Sequence, residues 1–121
     1  MLYTSSTSSL AMLEIIAHGI VLNENYCLLI LDLPEDKIKV MQHQELPPDW
    51  FIHPAPDQLK KIGDAFISEN KYLALSIPAA VNRQERNILI NPRHADFKKV
   101  MAIGADKVLF DTRVTRTLTE Q

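Results

Sequence analysis

The sequence predicts a mixed α+β domain, with a largely antiparallel sheet and two or three packed helices, and three observations carry that prediction. Short apolar or alternating segments bounded by Pro, Asn and Asp recur at residues 26–33, 37–42, 72–78 and 87–90, the pattern of strands. Two further segments, from about residue 10 and over 57–68, repeat apolar residues at helical spacing. The 121 residues, 46% hydrophobic and 23% charged, have the size and balance of one domain with one core, so a single domain over 1–121 is expected.

The elements follow in order. Leu2-Tyr3-Thr4 reads as the end of a strand, and the Ser/Thr run at residues 5–9 offers caps for a helix beginning near Leu10. A strand needs a neighbour for its backbone groups, so a start at Tyr3 suggests that a sheet-forming segment expected before it is absent. Residues 26–33 form a continuous apolar strand stopped by Pro34, and residues 37–42 alternate as a half-exposed strand does; the two are candidates to pair. Leu46-Pro47-Pro48-Asp49-Trp50 cannot be helix or central strand, because successive prolines remove donors and fix φ, and an ordered loop anchored by Trp50 is expected. A helix over 57–68 places Leu59, Ile62, Phe66 and Ile67 inward, with Gly63 where a backbone or ligand approaches closely. Strands at 72–78 and 87–90, a short helix near 95–101 capped by His94 and Asp96, and a last strand at 107–110 complete the chain.

Composition narrows the function. A formal net charge of −2, with Lys60-Lys61 and Lys98-Lys99 as isolated cationic pairs, gives no field to hold a phosphate backbone directly, so direct nucleic-acid binding is not expected. The single Cys27 cannot form a disulfide within the chain and is expected to act as a small hydrophobe, which fits a reducing cytoplasm. No run is long and apolar enough to cross a bilayer, and the first twenty residues lack the cationic start of a secretory signal. His18, His43, His53, His94 and Cys27 are scattered without ligand spacing, so no metal is expected. Gly19, Gly63 and Gly104 are too few to write a Walker loop or a dinucleotide fingerprint, and no Gly-x-Ser-x-Gly elbow surrounds Ser76.

Two polar residues stand out against apolar surroundings. Glu14 is the only full charge in Leu10-Ala11-Met12-Leu13-Glu14-Ile15-Ile16-Ala17, just off an apolar stripe of Leu10, Leu13, Ile16, Ala17 and Ile20. It is either a solvated helix residue paired with His18 or a carboxylate facing a cleft. Ser76 sits in the apolar strand Leu73-Ala74-Leu75-Ser76-Ile77-Pro78, where it either fills a tight core position or turns its hydroxyl to a pocket. Asn87 and Asn91, four apart on one strand face, either fix the turns at each end or form a polar wall.

Taken in order, Leu2-Tyr3-Thr4-Ser5, Leu10-Ala11-Met12-Leu13-Glu14, Leu46-Pro47-Pro48-Asp49-Trp50, Ile62-Gly63-Asp64-Ala65-Phe66, Leu75-Ser76-Ile77-Pro78-Ala79 and Asn87-Ile88-Leu89-Ile90-Asn91-Pro92 resemble the RES-domain family. The resemblance continues to His94-Ala95-Asp96-Phe97 and Phe110-Asp111-Thr112-Arg113 and so covers nearly the whole chain. It implies a fold similar to that of ADP-ribosyltransferases and the activity of a toxin of a bacterial toxin–antitoxin pair that cleaves NAD+ at the nicotinamide–ribose bond, as a glycohydrolase or phosphorylase. NAD+ enters as substrate, and no resident cofactor is implied. By resemblance Glu14 and Ser76 are the family's catalytic Glu and Ser, and Tyr3 is its aromatic residue in the NAD+ pocket. The family's Arg, from a segment before the first helix, has no counterpart here, which implies a domain truncated at its N-terminus relative to the family. The implied partner is an Xre-type helix-turn-helix antitoxin, with a homodimer also open. The alternative is a catalytically inactive RES remnant that still binds the antitoxin.

Overall fold

The computed structural model describes residues 1–19 and 25–119. Six strands and three α-helices are found among them: β1 (Leu2–Ser5), α1 (Ser8–Ala17), β2 (Tyr26–Asp32), β3 (Ile38–Val40), α2 (Asp57–Glu69), β4 (Ala74–Pro78), β5 (Arg86–Ile90), β6 (Met101–Val108) and α3 (Thr112–Thr119). The α+β class is as the sequence predicts, with a four-stranded sheet in the order β1-β5-β4-β3 and a separate two-stranded ribbon of β2 and β6.

The central sheet is built on β4 and β5, an antiparallel pair that sets Leu75 opposite Leu89 and Ser76 opposite Ile88. Side chains alternate across a strand, so the sheet presents two faces and carries a packed cluster on each. On one face Leu75 and Leu89 pack with Met41, Leu46, Trp50 and Phe66, and Leu59, Ile62 and Ile67 of α2 close over them. Ala74 and Ile90 lie on the other face with Ile38, Ile88, Leu31, Phe97 and Val100. Trp50 is buried as the loop anchor, and α2 presents the inward residues its periodicity indicates.

Several expectations are corrected by the tertiary structure. β2 and β3 do not pair: β2 joins β6, and β3 lies parallel to β4, whose otherwise bare edge needs a partner. The Pro34 turn leads into a 3-10 turn at Glu35–Lys37, which carries the chain away from β2. Cys27 is exposed, because the ribbon has a face that nothing else in the described chain covers. The last strand starts at Met101 rather than Lys107. Gly104 interrupts its apolar pattern, and a Cβ there would lie 3.3 Å from the Ile30 Cδ1, so glycine lets β6 close on β2 beside the register shift at Ile30/Leu31. At Gly63 a Cβ would meet only the Met1 side chain at 3.9 Å, so no close approach requires that glycine. Helix α3 was not anticipated; its start is fixed by Asp111, whose carboxylate accepts from the Arg113 N–H at 2.8 Å. On α1, Leu10 is fully buried but Leu13 and Ala17 are exposed, and Ile20 lies outside the described residues.

Two polar devices lock the far end of the sheet. Asn70 ends α2 in the left-handed conformation, at φ 50°, and its side-chain oxygen accepts from the buried Asn91 at 2.9 Å. The short helix near residue 95 is a 3-10 turn, Ala95–Lys99, capped by His94 Nδ1 accepting from the Asp96 N–H. The hydrogen bond from Lys99 holds the Asp96 carboxyl below the usual aspartate range, with the charges of Lys99, Lys37 and His94 adding to it.

Truncating Leu75, 1% exposed at the centre of the sheet, is expected to cost about 2–5 kcal/mol of unfolding free energy by denaturant titration. A loss well under 1 kcal/mol would show that this strand is not the core. A lowered carboxyl pKa stabilises the fold above the ordinary aspartate range, and the benefit disappears as pH falls through the folded-state value. Asp96→Asn should therefore melt below the wild type at neutral pH, with the gap closing in acid; a gap independent of pH would refute the assignment.

Candidate functional site

Helix α1 begins at a cap that also fastens it to the sheet. The Thr7 hydroxyl oxygen accepts from the Leu10 N–H at 3.0 Å and its O–H donates to Glu85 Oε1 at 3.1 Å, which ties the helix start to the β4–β5 connection. One turn on, Leu10 is buried, and a further turn brings Glu14 to the same side of the helix. Its carboxylate meets the sheet there: Asn87 Nδ2 donates to Glu14 Oε1 at 3.1 Å. Asn87 Oδ1 in turn accepts from Ser5 Oγ at 3.4 Å, across the pair that sets Ser5 opposite Asn87.

Glu14 is thus neither a solvated surface charge nor a buried ion-pair member. Its side chain is 23% exposed, and His18 Nδ1 lies 3.6 Å from Oε2 while contacting the Glu14 carbonyl oxygen at 2.7 Å. An amide fixes one carboxylate oxygen and leaves the other able to accept from a ligand hydroxyl. Tyr3 stands two residues before Ser5 and so on the same sheet face, at the open edge; it is 74% exposed, with no ring or hydrogen-bond partner among the described residues. Ser5, Asn87 and Glu14 therefore form one hydrogen-bonded polar cluster, and Tyr3 is exposed on the same face of the edge strand that carries Ser5.

Ser76 is placed elsewhere. It is 4% exposed and lies opposite Ile88, one position out of phase with the Ile77–Asn87 pair, so its hydroxyl leaves the sheet on the face away from Asn87. Its Oγ accepts from Arg86 Nε at 2.8 Å, and the same guanidinium donates through Nη2 to the carbonyls of Ser76 and Met41. This register puts Ser76 on the sheet face opposite to Asn87, the residue that holds Glu14. Ser76 instead seats Arg86, which knits β5 to β4 and to the chain leaving β3.

Arg86 was missed by sequence reasoning, and Asn87 was left between two readings. Asn91 does fix a turn, its Oδ1 accepting from the Arg93 N–H at 3.0 Å, whereas Asn87 reaches to Glu14 and Ser5. The available signal was the alternation itself: in Glu85-Arg86-Asn87 two adjacent polar side chains must serve opposite faces. Among the described residues no three metal-ligating side chains converge. A cavity of about 140 Å³ between α2 and β3, lined by residues including Lys39, Ile62, Phe66 and Tyr72, reaches none of the three expected site residues.

The sequence profile of the RES domain matches residues 1–113. A protein named Toxin Res from Yersinia enterocolitica is 32% identical over 104 residues, covering 84% of this chain and 68% of that one. A Toxin Res from Photorhabdus laumondii is 30% identical over 99 residues, 80% of this chain and 64% of the relative. The Prs ADP-ribosylating toxin of Sphingobium sp. is 30% identical over 121 residues, 94% and 74% of the two chains. The chain thus spans roughly two-thirds to three-quarters of these relatives' lengths.

Removing the Ser76 hydroxyl leaves the Arg86 Nε without its side-chain acceptor in a half-buried position. Ser76→Ala is expected to cost about 1–3 kcal/mol in chemical denaturation. Ser76→Thr, which keeps the acceptor, should recover part of that loss, and equal stability of all three proteins would contradict the seating role.

Proposed function

The chain belongs to the RES-domain family, and from that premise we propose that it is a toxin-type domain that cleaves NAD+ at the bond between nicotinamide and ribose. The observation that carries this reading is the carboxylate of Glu14, held by an uncharged amide that also accepts from Ser5 of the edge strand, where Tyr3 is exposed on the same face.

Breaking the glycosidic bond sends its electron pair to nicotinamide, which leaves neutral, while positive charge develops on the ribose ring. A carboxylate fixed beside that ring lowers the barrier electrostatically, as carboxylates do in glycoside hydrolysis. Glu14 takes this part, with its unfixed oxygen accepting from a ribose hydroxyl. Asn87 is the positioning residue: by gripping Oε1 it sets the carboxylate while leaving its charge intact. Tyr3 offers a flat, exposed ring on which nicotinamide stacks. Ser76 acts at one remove, by fixing Arg86 beside Asn87 on β5. Water or phosphate takes the ribosyl group.

The names of the relatives support the reading: all three are named toxins, and the Sphingobium protein is named for ADP-ribosylation, a transfer that begins by breaking the same bond of NAD+. Within it, depletion of NAD+ arrests growth until an Xre-type helix-turn-helix antitoxin covers the site. The other form of the reading, a remnant that binds the antitoxin without turnover, separates from the first in a direct assay.

Purified protein incubated with NAD+ should release nicotinamide, and Glu14→Gln should lower that rate roughly 100- to 1,000-fold, the scale of losing one preorganised electrostatic group. Asn87→Ala should reduce kcat with little change in KM. No release by the wild type, together with capture of an antitoxin, would favour the non-catalytic form. Release at equal rates by wild type and Glu14→Gln would remove Glu14 from the mechanism.

A further inference from the structure

Arg83, in the connection between β4 and β5, is held by aromatic rings and left without a carboxylate. Its Cζ lies 4.0 Å from the Phe51 ring centroid and 5.9 Å from that of Trp50, and the two rings stand edge to face at 87°. Arg83 takes part in no ion pair among the described residues, and it is exposed, as is Phe51 beneath it at 39%.

The position of this shelf relative to Glu14 follows from three contacts. Glu85 Oε1 accepts from both Asn82 Nδ2 and Thr7 Oγ1, each at 3.1 Å, so the loop that carries Arg83 is latched to the start of the helix that carries Glu14. Trp50 packs in the cluster that contains Leu75, Leu89 and Ile77, which is the sheet face from which Asn87 grips Glu14. Ile77 is directly opposite Asn87 and packs against the cluster that holds Trp50. Glu14, through Asn87, and Arg83, through Trp50, are therefore both tied to the same sheet face, and both are tied to its hairpin end through Glu85.

We infer that Arg83, on its Phe51–Trp50 shelf, is the subsite for the pyrophosphate of a dinucleotide whose ribose sits against Glu14; the inference rests on the NAD+-cleaving reading. A guanidinium presents a planar fork that matches two phosphate oxygens. Ring faces fix that fork without neutralising it, so the charge stays available to an incoming anion. The neighbouring guanidinium, Arg86, cannot serve: it is committed to Ser76 and to the carbonyls of Ser76 and Met41. In NAD+ only the ribose and its 5′-methylene separate the scissile carbon from the first phosphate, so a carboxylate and a guanidinium tied to one sheet face suit that substrate.

The test is calorimetric titration of ADP into wild type, Arg83→Gln and Phe51→Leu, with adenosine as the ligand lacking phosphate. The expected result is that ADP binds the wild type, that Arg83→Gln weakens it by about tenfold or more, the scale of one lost charge-assisted contact, and that adenosine binds all three alike. Phe51→Leu, which keeps the cation and removes its shelf, should show a smaller loss in the same direction and stands in if Arg83→Gln does not fold. Equal ADP affinity in the three proteins, or no ADP binding by the wild type, overturns the subsite. The nicotinamide-release assay separates the two ideas. Glu14-dependent cleavage with a KM for NAD+ unmoved by Arg83→Gln keeps the reaction and sinks the subsite, whereas Arg83-dependent ADP binding without cleavage keeps the subsite and sinks the reaction.

Discussion

The alternation of side chains along β5 is the constraint on which the rest of the site depends. Arg86 and Asn87 are adjacent in sequence and must leave the sheet on opposite faces. One is received by Ser76 and two main-chain carbonyls, which joins β5 to β4 and to the end of β3. The other is received by Ser5 and Glu14, which joins β5 to the edge strand and to α1. A slip of β5 by one residue against β4 would exchange these partners and turn Leu89 away from Leu75 to the wrong side. The packing of Leu75 and Leu89 under α2 thus fixes the register, and the register fixes where Glu14 is held.

The manner in which the charges are held divides them into two kinds. Asp96 meets Lys99 and Lys37, and Asp111 meets Arg113 through two nitrogen–oxygen contacts; both carboxyls are held below their usual range by those partners, and their charge is spent on local structure. Glu14 and Arg83 are fixed instead by an amide and by aromatic rings, neither of which cancels the charge. A preorganised but uncompensated charge stabilises the isolated fold little and a ligand of opposite charge well. His18 beside Glu14 is the exception: two-thirds exposed and 3.6 Å away, it is a weak companion whose contribution depends on its protonation.

The β2–β6 ribbon stands apart from this machinery. It is joined to the sheet through Leu31 and Leu33, which pack with Ile38 and Ile90, while Leu29, Ile30, Met101 and Ile103 remain exposed. No helix of the described chain is long and apolar enough to cross a membrane.

Much of the element inventory was legible in the sequence because it rests on local chemistry. Periodicity marked α2 and its inward residues, prolines marked the loop around Trp50, and a Ser/Thr run marked the start of α1. The ordered motifs also marked the family, whose profile covers residues 1–113. Strand partners were not legible, since any half-apolar strand can pair with several others. β3 went to β4 rather than β2 because the edge of the most buried strand had to be satisfied. Nor could the sequence choose between the two readings of Glu14, of Ser76 or of Asn87. The choices for Glu14 and Asn87 are relations between segments 73 residues apart, and that for Ser76 is a relation across a hairpin, all set by register and by which face each strand turns to the core. The sequence by itself determined which groups carry polarity into apolar segments; only the tertiary structure decided which of them meet, because alternation sends neighbours in the chain to opposite sides of a sheet.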